Sequence, residues 1–307
     1  MKRNVILMGG KTHVISMPLK WIKSHGIKKG DELEIVEENN KITILTANAI
    51  IKEPIKLNLE KANASIIVKN ITNTYTLGYP ELEILFKTTT KLKNKKEIKT
   101  LNVIQDTCDQ LIGFEIIDPK DTFCRIKDVA GSSINEFKNI LRRIFLMTNS
   151  FGKETIDNIN NYEELNNLHR KHITIRKYAQ YCQRYLNLRG LKNQTTLYNE
   201  IIVRLLDISQ GYRFITKNQI QKKNKYSKET LSLLKETVKL QEMLHKTFYK
   251  FSQEKVTELT EKRIEIFKKL EKTKAEGVDL ILLHRIPHIL NSVLALINTT
   301  VAINFKN

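Results

Sequence analysis

The chain has 307 residues, of which 41% are hydrophobic, and a formal net charge of +19. That length exceeds one small core, so two or three domains are expected, with enough apolar material to bury a sizeable interior. A strongly basic chain favours nucleic acid or an anionic surface as partner, although 40 Lys against 12 Arg, together with 27 Asn, also fits a general compositional drift that makes every surface basic. Cys108, Cys124 and Cys182 form no C-x-x-C pair. An odd count without such a pair fits a reduced, cytoplasmic protein better than a disulfide framework or a zinc site.

The first unit covers residues 1–46. Val5, Ile6 and Leu7 read as a strand, Gly9 and Gly10 as a tight turn, and residues 13–17 as a second strand. Pro18 suits the first position of a short helix carrying Leu19, Trp21 and Ile22, and Gly26 suits a left-handed stop. Leu33 and Ile35, then Ile42 and Ile44, alternate with polar residues across a Glu38-Asn39-Asn40 loop, as two half-buried strands do. The expected order is β-β-α-β-β. A unit this small is near the lower limit for folding alone, so it is expected to dimerise.

The basic residues of this unit are Lys2, Arg3, Lys11, Lys20, Lys23, Lys28 and Lys29, and no acid precedes Asp31. Drift explains this poorly, because Glu32, Glu34, Glu37 and Glu38 follow at once. An acid-free basic face on a small folded unit matches a phosphate backbone. Lys11 follows the glycine turn, and Lys20 and Lys23 are one helical turn apart and share a face. Such lysines contribute affinity, and Arg3 is the candidate for bidentate reading of guanine. His13 alternates with Val14 and is carried as a further DNA-facing candidate. Trp21 is the single tryptophan, and its place in a short amphipathic helix reads as core.

Residues 47–130 read as a mixed α/β connecting domain, with strands expected at 64–68, 82–86, 100–104 and 114–117 and a lysine-rich stretch over 87–99. From Ser132 the period becomes helical: Ile134, Phe137, Leu141, Ile144, Thr148 and Phe151 step by three and four, as do Leu283, Ile286, Leu290, Val293, Ile297 and Val301. Further helices are expected over 178–188, 197–206, 231–251 and 256–270, so residues 131–307 form a helical bundle. The most apolar stretch, 289–303, is shorter than the roughly 20 residues of a membrane span, and no membrane insertion is expected.

Enzymatic chemistry finds little support. Glu258, Glu261 and Glu265 share a helix face but interleave with Lys262 and Arg263, which reads as salt-bridged surface. Glu163, Glu164, His169 and His172 read as solvated helix faces. Gly9-Gly10-Lys11-Thr12 lacks the first glycine and the spacing of a nucleotide loop. No zinc or nucleophile constellation occurs. The expectation is a protein that is not an enzyme and holds no cofactor.

Residues 9–18, followed by Trp21-Ile22-Lys23 and by Gly26-Ile27-Lys28-Lys29-Gly30-Asp31-Glu32-Leu33, resemble the SpoVT/AbrB-type (MazE-like) swapped-hairpin DNA-binding domain. The resemblance implies a dimer of interleaved hairpins that binds DNA through Lys11 and Lys23, with Arg3 as counterpart of a first-strand arginine. The remainder resembles archaeal phosphate uptake regulators, in which such a domain precedes a PhoU-like helical region. The resembling pieces are Gly78-Tyr79, residues 111–116, Leu141-Arg142-Arg143-Ile144, residues 211–218 and Val301-Ala302-Ile303-Asn304. That family is often metal-binding through Glu/Asp-x-x-x-Asp runs. Here Ile220, Asn224 and Lys222, Lys223 and Lys225 stand where acids are usual, and the last helix offers His284, His288, Asn291 and Ser292, so the acidic ligands of such a cluster are replaced.

The fold class expected is therefore multidomain α+β, with an AbrB-like swapped-hairpin β domain, a small mixed segment and a PhoU-like all-α bundle. The function expected is a cytoplasmic, homodimeric, DNA-binding transcriptional regulator linked to phosphate uptake. The alternative is a PhoU-type adaptor that does not bind DNA and docks on a phosphate transporter or signalling kinase. A toxin antidote is a third reading, opposed by the long folded bundle in place of a disordered toxin-wrapping tail.

Overall fold

In the computed structural model, the described residues are 2–38, 41–45, 52–130, 134–191, 193–223, 225–274 and 277–305. The chain divides into two compact units, Met1–Ile51 and Lys52–Asn307. Asn39 and Asn40 of the expected loop, Ser132 at the expected start of helical periodicity, and Asn224 lie outside the described residues.

The first unit has the expected β-β-α-β-β order. Strands β1 (Val5–Met8) and β2 (Thr12–Ile15) form an antiparallel hairpin, and helix α1 (Leu19–Ser24) follows. Strands β3 (Glu34–Glu38) and β4 (Lys41–Leu45) form a second, separate antiparallel hairpin. Gly9 and Gly10 adopt φ of 61° and 74°, which only glycine accepts freely at successive positions. Pro18 stands one place earlier than expected: with φ −63° and ψ 122° it is the cap of α1, extended in ψ. The helix ends as expected at Gly26 (φ 62°). Ile27 N–H donates to the Ile22 carbonyl at 3.1 Å and Gly26 N–H to the Lys23 carbonyl at 3.3 Å, which is the paired termination a left-handed glycine permits.

In the second unit, a four-stranded sheet has the order β5-β6-β10-β9, built from β5 (Ile55–Asn58), β6 (Glu81–Leu85), β9 (Phe114–Pro119) and β10 (Phe123–Asp128). β5 and β6 are parallel, and the other pairs are antiparallel. A parallel neighbour requires a crossover, which α2 (Ala64–Thr76) supplies. Between β6 and β9 lie a hairpin, β7 (Thr89–Lys91) with β8 (Glu97–Lys99), and helix α3 (Thr100–Cys108).

Two expected strands are therefore helices. Residues 64–68 are β-rich in composition, but Asn63 caps them by accepting from Ile66 N–H at 3.1 Å. Ile67, Ile71, Thr74 and Tyr75 then place one face in the core at helical spacing. Residues 100–104 open α3, which has no side-chain cap but buries Val103, Ile104, Thr107 and Cys108 at helical spacing. The lysine-rich stretch 87–99 is the β7–β8 hairpin, turned at Lys95 with φ 63°. Leu82, Ile84, Cys124 and Ile126 point into the core under α2 and α3. On the outer side Arg125 pairs with Glu81 at 3.3 Å and Glu83 at 3.7 Å.

Six helices follow: α4 (Ile134–Asp157), α5 (Tyr162–Arg189), α6 (Thr195–Lys222), α7 (Lys228–Tyr249), α8 (Gln253–Lys272) and α9 (Asp279–Ile303). Each helix expected from the periodicity falls in one of them, the expected 231–251 ending two residues earlier at Tyr249, and they share a second core from Phe137 to Ile297. The multidomain α+β class holds. From Lys52 on, the expected connecting segment carries its own core yet belongs to one compact unit with the helices. Glycines set the closest approaches: a Cβ on Gly152 would lie 2.7 Å from Cζ of Tyr212, and one on Gly211 would lie 2.9 Å from Ile289. Buried helical threonines, including Thr148, Thr155 and Thr300, donate to the carbonyl one turn earlier, so their hydroxyls need no water.

Helix α9 extends ten residues N-terminal to the apolar stretch read from sequence. Among the described residues it is the one helix long and apolar enough to cross a membrane. Leu282, Ile286, Ile289, Leu290, Val293, Leu296 and Ile297 are nevertheless buried against the bundle, as in a core helix.

His172 departs from the expected solvated face. It is buried, and its Nδ1 lies 2.9 Å from Ser209 Oγ on α6. Burial first, and then Arg213 and Arg176, bring its pKa down to about 4. The grouping of Glu163 and Glu164 with this histidine misjudged its side of α5. By contrast Glu258 pairs with Lys262 at 2.6 Å on an exposed face, as the interleaved charges imply.

Candidate nucleic-acid interface

The N-terminal unit exposes what a folded chain ordinarily hides. No described side chain of this unit is buried. Leu7 retains 57% and Met8 66% of full exposure, with Val5, Ile6, Ile15, Leu19, Ile35 and Ile42 similarly open. Register explains the pattern. Val5 pairs with Ile15 and Leu7 with His13, while Ile6 pairs with Val14 and Met8 with Thr12. Directly opposed residues share a face, so both faces of this ribbon are apolar. A two-stranded hairpin is marginal alone in water, and each hairpin here leaves its outer edges unpaired.

All five sequence-derived site residues are exposed. Arg3 precedes β1. Lys11 closes the Gly9-Gly10 turn at the hairpin tip. Lys20 and Lys23 lie on α1, three residues apart. No hydrogen bond or ion pair engages the side chains of Arg3, Lys11, Lys20 or Lys23 among the described residues. His13 differs from the other four: opposite Leu7, it shares the face of Val5, Leu7 and Ile15. Trp21 is half-buried rather than core. Its indole lies 4.9 Å from the His25 ring, whose Nδ1 is 2.9 Å from the Trp21 carbonyl.

The turn after α1 is fixed by Asp31, whose carboxylate accepts from Lys28 N–H at 2.8 Å, with Gly30 at φ 95°. This first acid of the chain thus serves the backbone. Lys28 and Lys29, also exposed, extend the basic surface beyond the five residues singled out from sequence. The exposed apolar strand faces are the part sequence reading missed. Their signal was four consecutive apolar residues in β1, where a half-buried strand would alternate.

Among the described residues, no group of three or more His, Cys, Asp or Glu side chains gathers as a metal site. The rings of His284 and His288 lie 5.2 Å apart, tilted by 37°, on an exposed face. Next to Ile220, Gln219 is buried and donates its Nε2–H to the Ile159 carbonyl at 2.9 Å. The three cysteines are free and buried, and burial pushes the Cys108 and Cys124 thiols up to about 12, which keeps them protonated and unreactive.

No curated protein and no solved structure matches the chain. Residues 6–58 match the family model described as antidote-toxin recognition MazE, bacterial antitoxin, so the N-terminal β-β-α-β-β unit is a MazE-like domain.

Proposed function

We propose that the protein is a DNA-binding transcriptional regulator, dimeric through its N-terminal hairpins, and not an enzyme. One observation carries the reading: an exposed basic segment, free of acids through Gly30, on a unit whose apolar strand faces lack a cover. A second copy of the same unit would bury those faces and close the open hairpin edges. The dimer would present Lys11, Lys20 and Lys23 twice to the phosphate backbone, with Arg3 reading base edges. The MazE-like character of the unit supports this reading. The helical half acts as a sensor or scaffold, and its link to phosphate uptake rests on the dispersed motifs that resemble PhoU-containing regulators. Three free, buried cysteines agree with a reduced, cytoplasmic setting.

The test is affinity for DNA upstream of the protein's own reading frame against random DNA, at two salt concentrations. The expected result is a clear preference for the upstream DNA and a steep salt dependence, with the slope falling by about one per lost phosphate contact in Lys11→Gln and Lys23→Gln. Light scattering should give a dimer that Leu7→Glu dissociates. Equal, weak binding to both DNAs would move the weight to the adaptor reading, in which the N-terminal unit serves dimerisation only.

A further inference from the structure

The second unit contains a partly open cavity of about 530 Å³ that the DNA-binding reading does not use. That volume lies within the range of small-molecule sites. Four elements wall it: α2 with Val68 and Lys69, the β7–β8 hairpin with Leu92 and Lys93, α3 with Val103 and the turn after it with Gln110, and α5 with Arg176. The floor is apolar. The charged groups of the lining are Lys69, Lys93, Arg176 and Asp106, an excess of two positive charges.

Arg176 makes this more than a crevice. Its Nη2 donates to Gln110 Oε1, and Gln110 is held in turn by donating to the Asp106 carbonyl at 3.0 Å. Its Nε is buried without an acceptor, and no ion pair engages its guanidinium among the described residues. Arg213, whose Nε is likewise buried and unpartnered, is near enough to oppose its charge, which with burial lowers the Arg176 pKa. Arg184 on the same helix, eight residues on, shows the contrast: its fork is filled by Asp128 and by the Tyr75 carbonyl. A guanidinium oriented by a neighbouring amide, beside a second uncompensated arginine and at an apolar cavity, is arranged for an incoming oxyanion.

We propose that this cavity binds a small organic phosphate: a phosphomonoester dianion on Arg176, flanked by Lys69 and Lys93, with a compact apolar body on Val68, Leu92 and Val103. The excess of two positive charges selects a dianion over a carboxylate. The ligand would touch the α/β part and α5 together, so its occupancy bears on how they pack. The inference is independent of whether the N-terminal unit binds DNA.

The test is calorimetric titration of the full chain with naphthyl phosphate, with naphthol, naphthoate and inorganic phosphate as separate probes. Naphthyl phosphate is expected to bind at least about tenfold tighter than each of the other three. Arg176→Gln should weaken it by about tenfold or more, and Lys69→Gln, on the exposed rim, by a few-fold. Both variants should keep the wild-type circular dichroism. Arg204→Gln, an ion-paired surface arginine outside the cavity, should bind as wild type. No heat up to about 1 mM naphthyl phosphate would overturn the proposal. So would equal affinity in the Arg176 and Lys69 variants, or loss of binding on Lys11→Gln with Lys23→Gln, which would place the probe on the N-terminal unit. Equal affinity for naphthoate would overturn the dianion assignment.

Discussion

Replacing Arg184 with Leu should loosen the attachment of the helices to the sheet. Arg184 is buried on α5, with 4% of its side chain exposed, and Asp128 at the end of β10 retains 13%. The guanidinium donates to one carboxylate oxygen of Asp128 from Nη2 at 2.6 Å and from Nε at 3.1 Å, and from Nη1 to the Tyr75 carbonyl at 2.6 Å. It also lies 4.9 Å from the ring centre of Tyr75 and 5.3 Å from that of Phe114. Leucine keeps part of the apolar stem but strands a buried carboxylate and a carbonyl. Removing one partner of a buried pair costs about 3–5 kcal/mol, and the stranded carbonyl adds to that figure less than independently. The expected loss is therefore about 4 kcal/mol. Urea unfolding of the full chain, followed by helical circular dichroism, reads it, because all helices but the six-residue α1 belong to this unit. Asp128→Asn alone should also destabilise, and the double variant should lose at least about 2 kcal/mol less than the sum of the two single changes. A loss under about 1 kcal/mol for Arg184→Leu, or simple additivity, would refute the claim that this pair pins the two parts.

His172 ties stability to pH. Its pKa is depressed to about 4 against 6.5 for the free group, by burial and by Arg213, Arg176 and His169 around it. The native state therefore binds fewer protons than the unfolded one between these values. The contribution is complete above pH 6.5 and is lost as pH falls toward 4, by about 2 kcal/mol between pH 7 and pH 5. Urea midpoints of wild type and His172→Gln at both pH values isolate it, and identical pH dependence would count against the assignment. Gly152→Ala should destabilise by about 2 kcal/mol despite the better helix propensity of alanine. Its methyl would meet the fully buried Tyr212 ring, which is anchored to Gln241 at 2.6 Å. Tyr212→Phe in the same chain should relieve part of the strain, and a raised melting temperature for Gly152→Ala would contradict the close packing.

Helical periodicity was readable without the fold because the bundle repeats one pattern over long spans: Phe137, Leu141, Ile144 and Phe151 each meet the same core. The N-terminal grammar was equally local. Glycines at positive φ, a proline before α1 and the acid-free run act over a few residues and need no distant contact. What local signals could not decide was any segment whose state depends on remote partners. Residues 64–68 and 100–104 have β-branched side chains that suit a strand, and the cap at Asn63 and the crossover to a parallel β6 made the first a helix. Tertiary packing likewise chose which charges are buried. His172 read as a solvated face and Arg184 carried no signal of its own, and only the opposing α6 and the sheet turn one into a neutral core group and the other into a filled guanidinium. Burial of a charge depends on what lies across from it, and that is a property of the assembled elements rather than of the sequence around the residue.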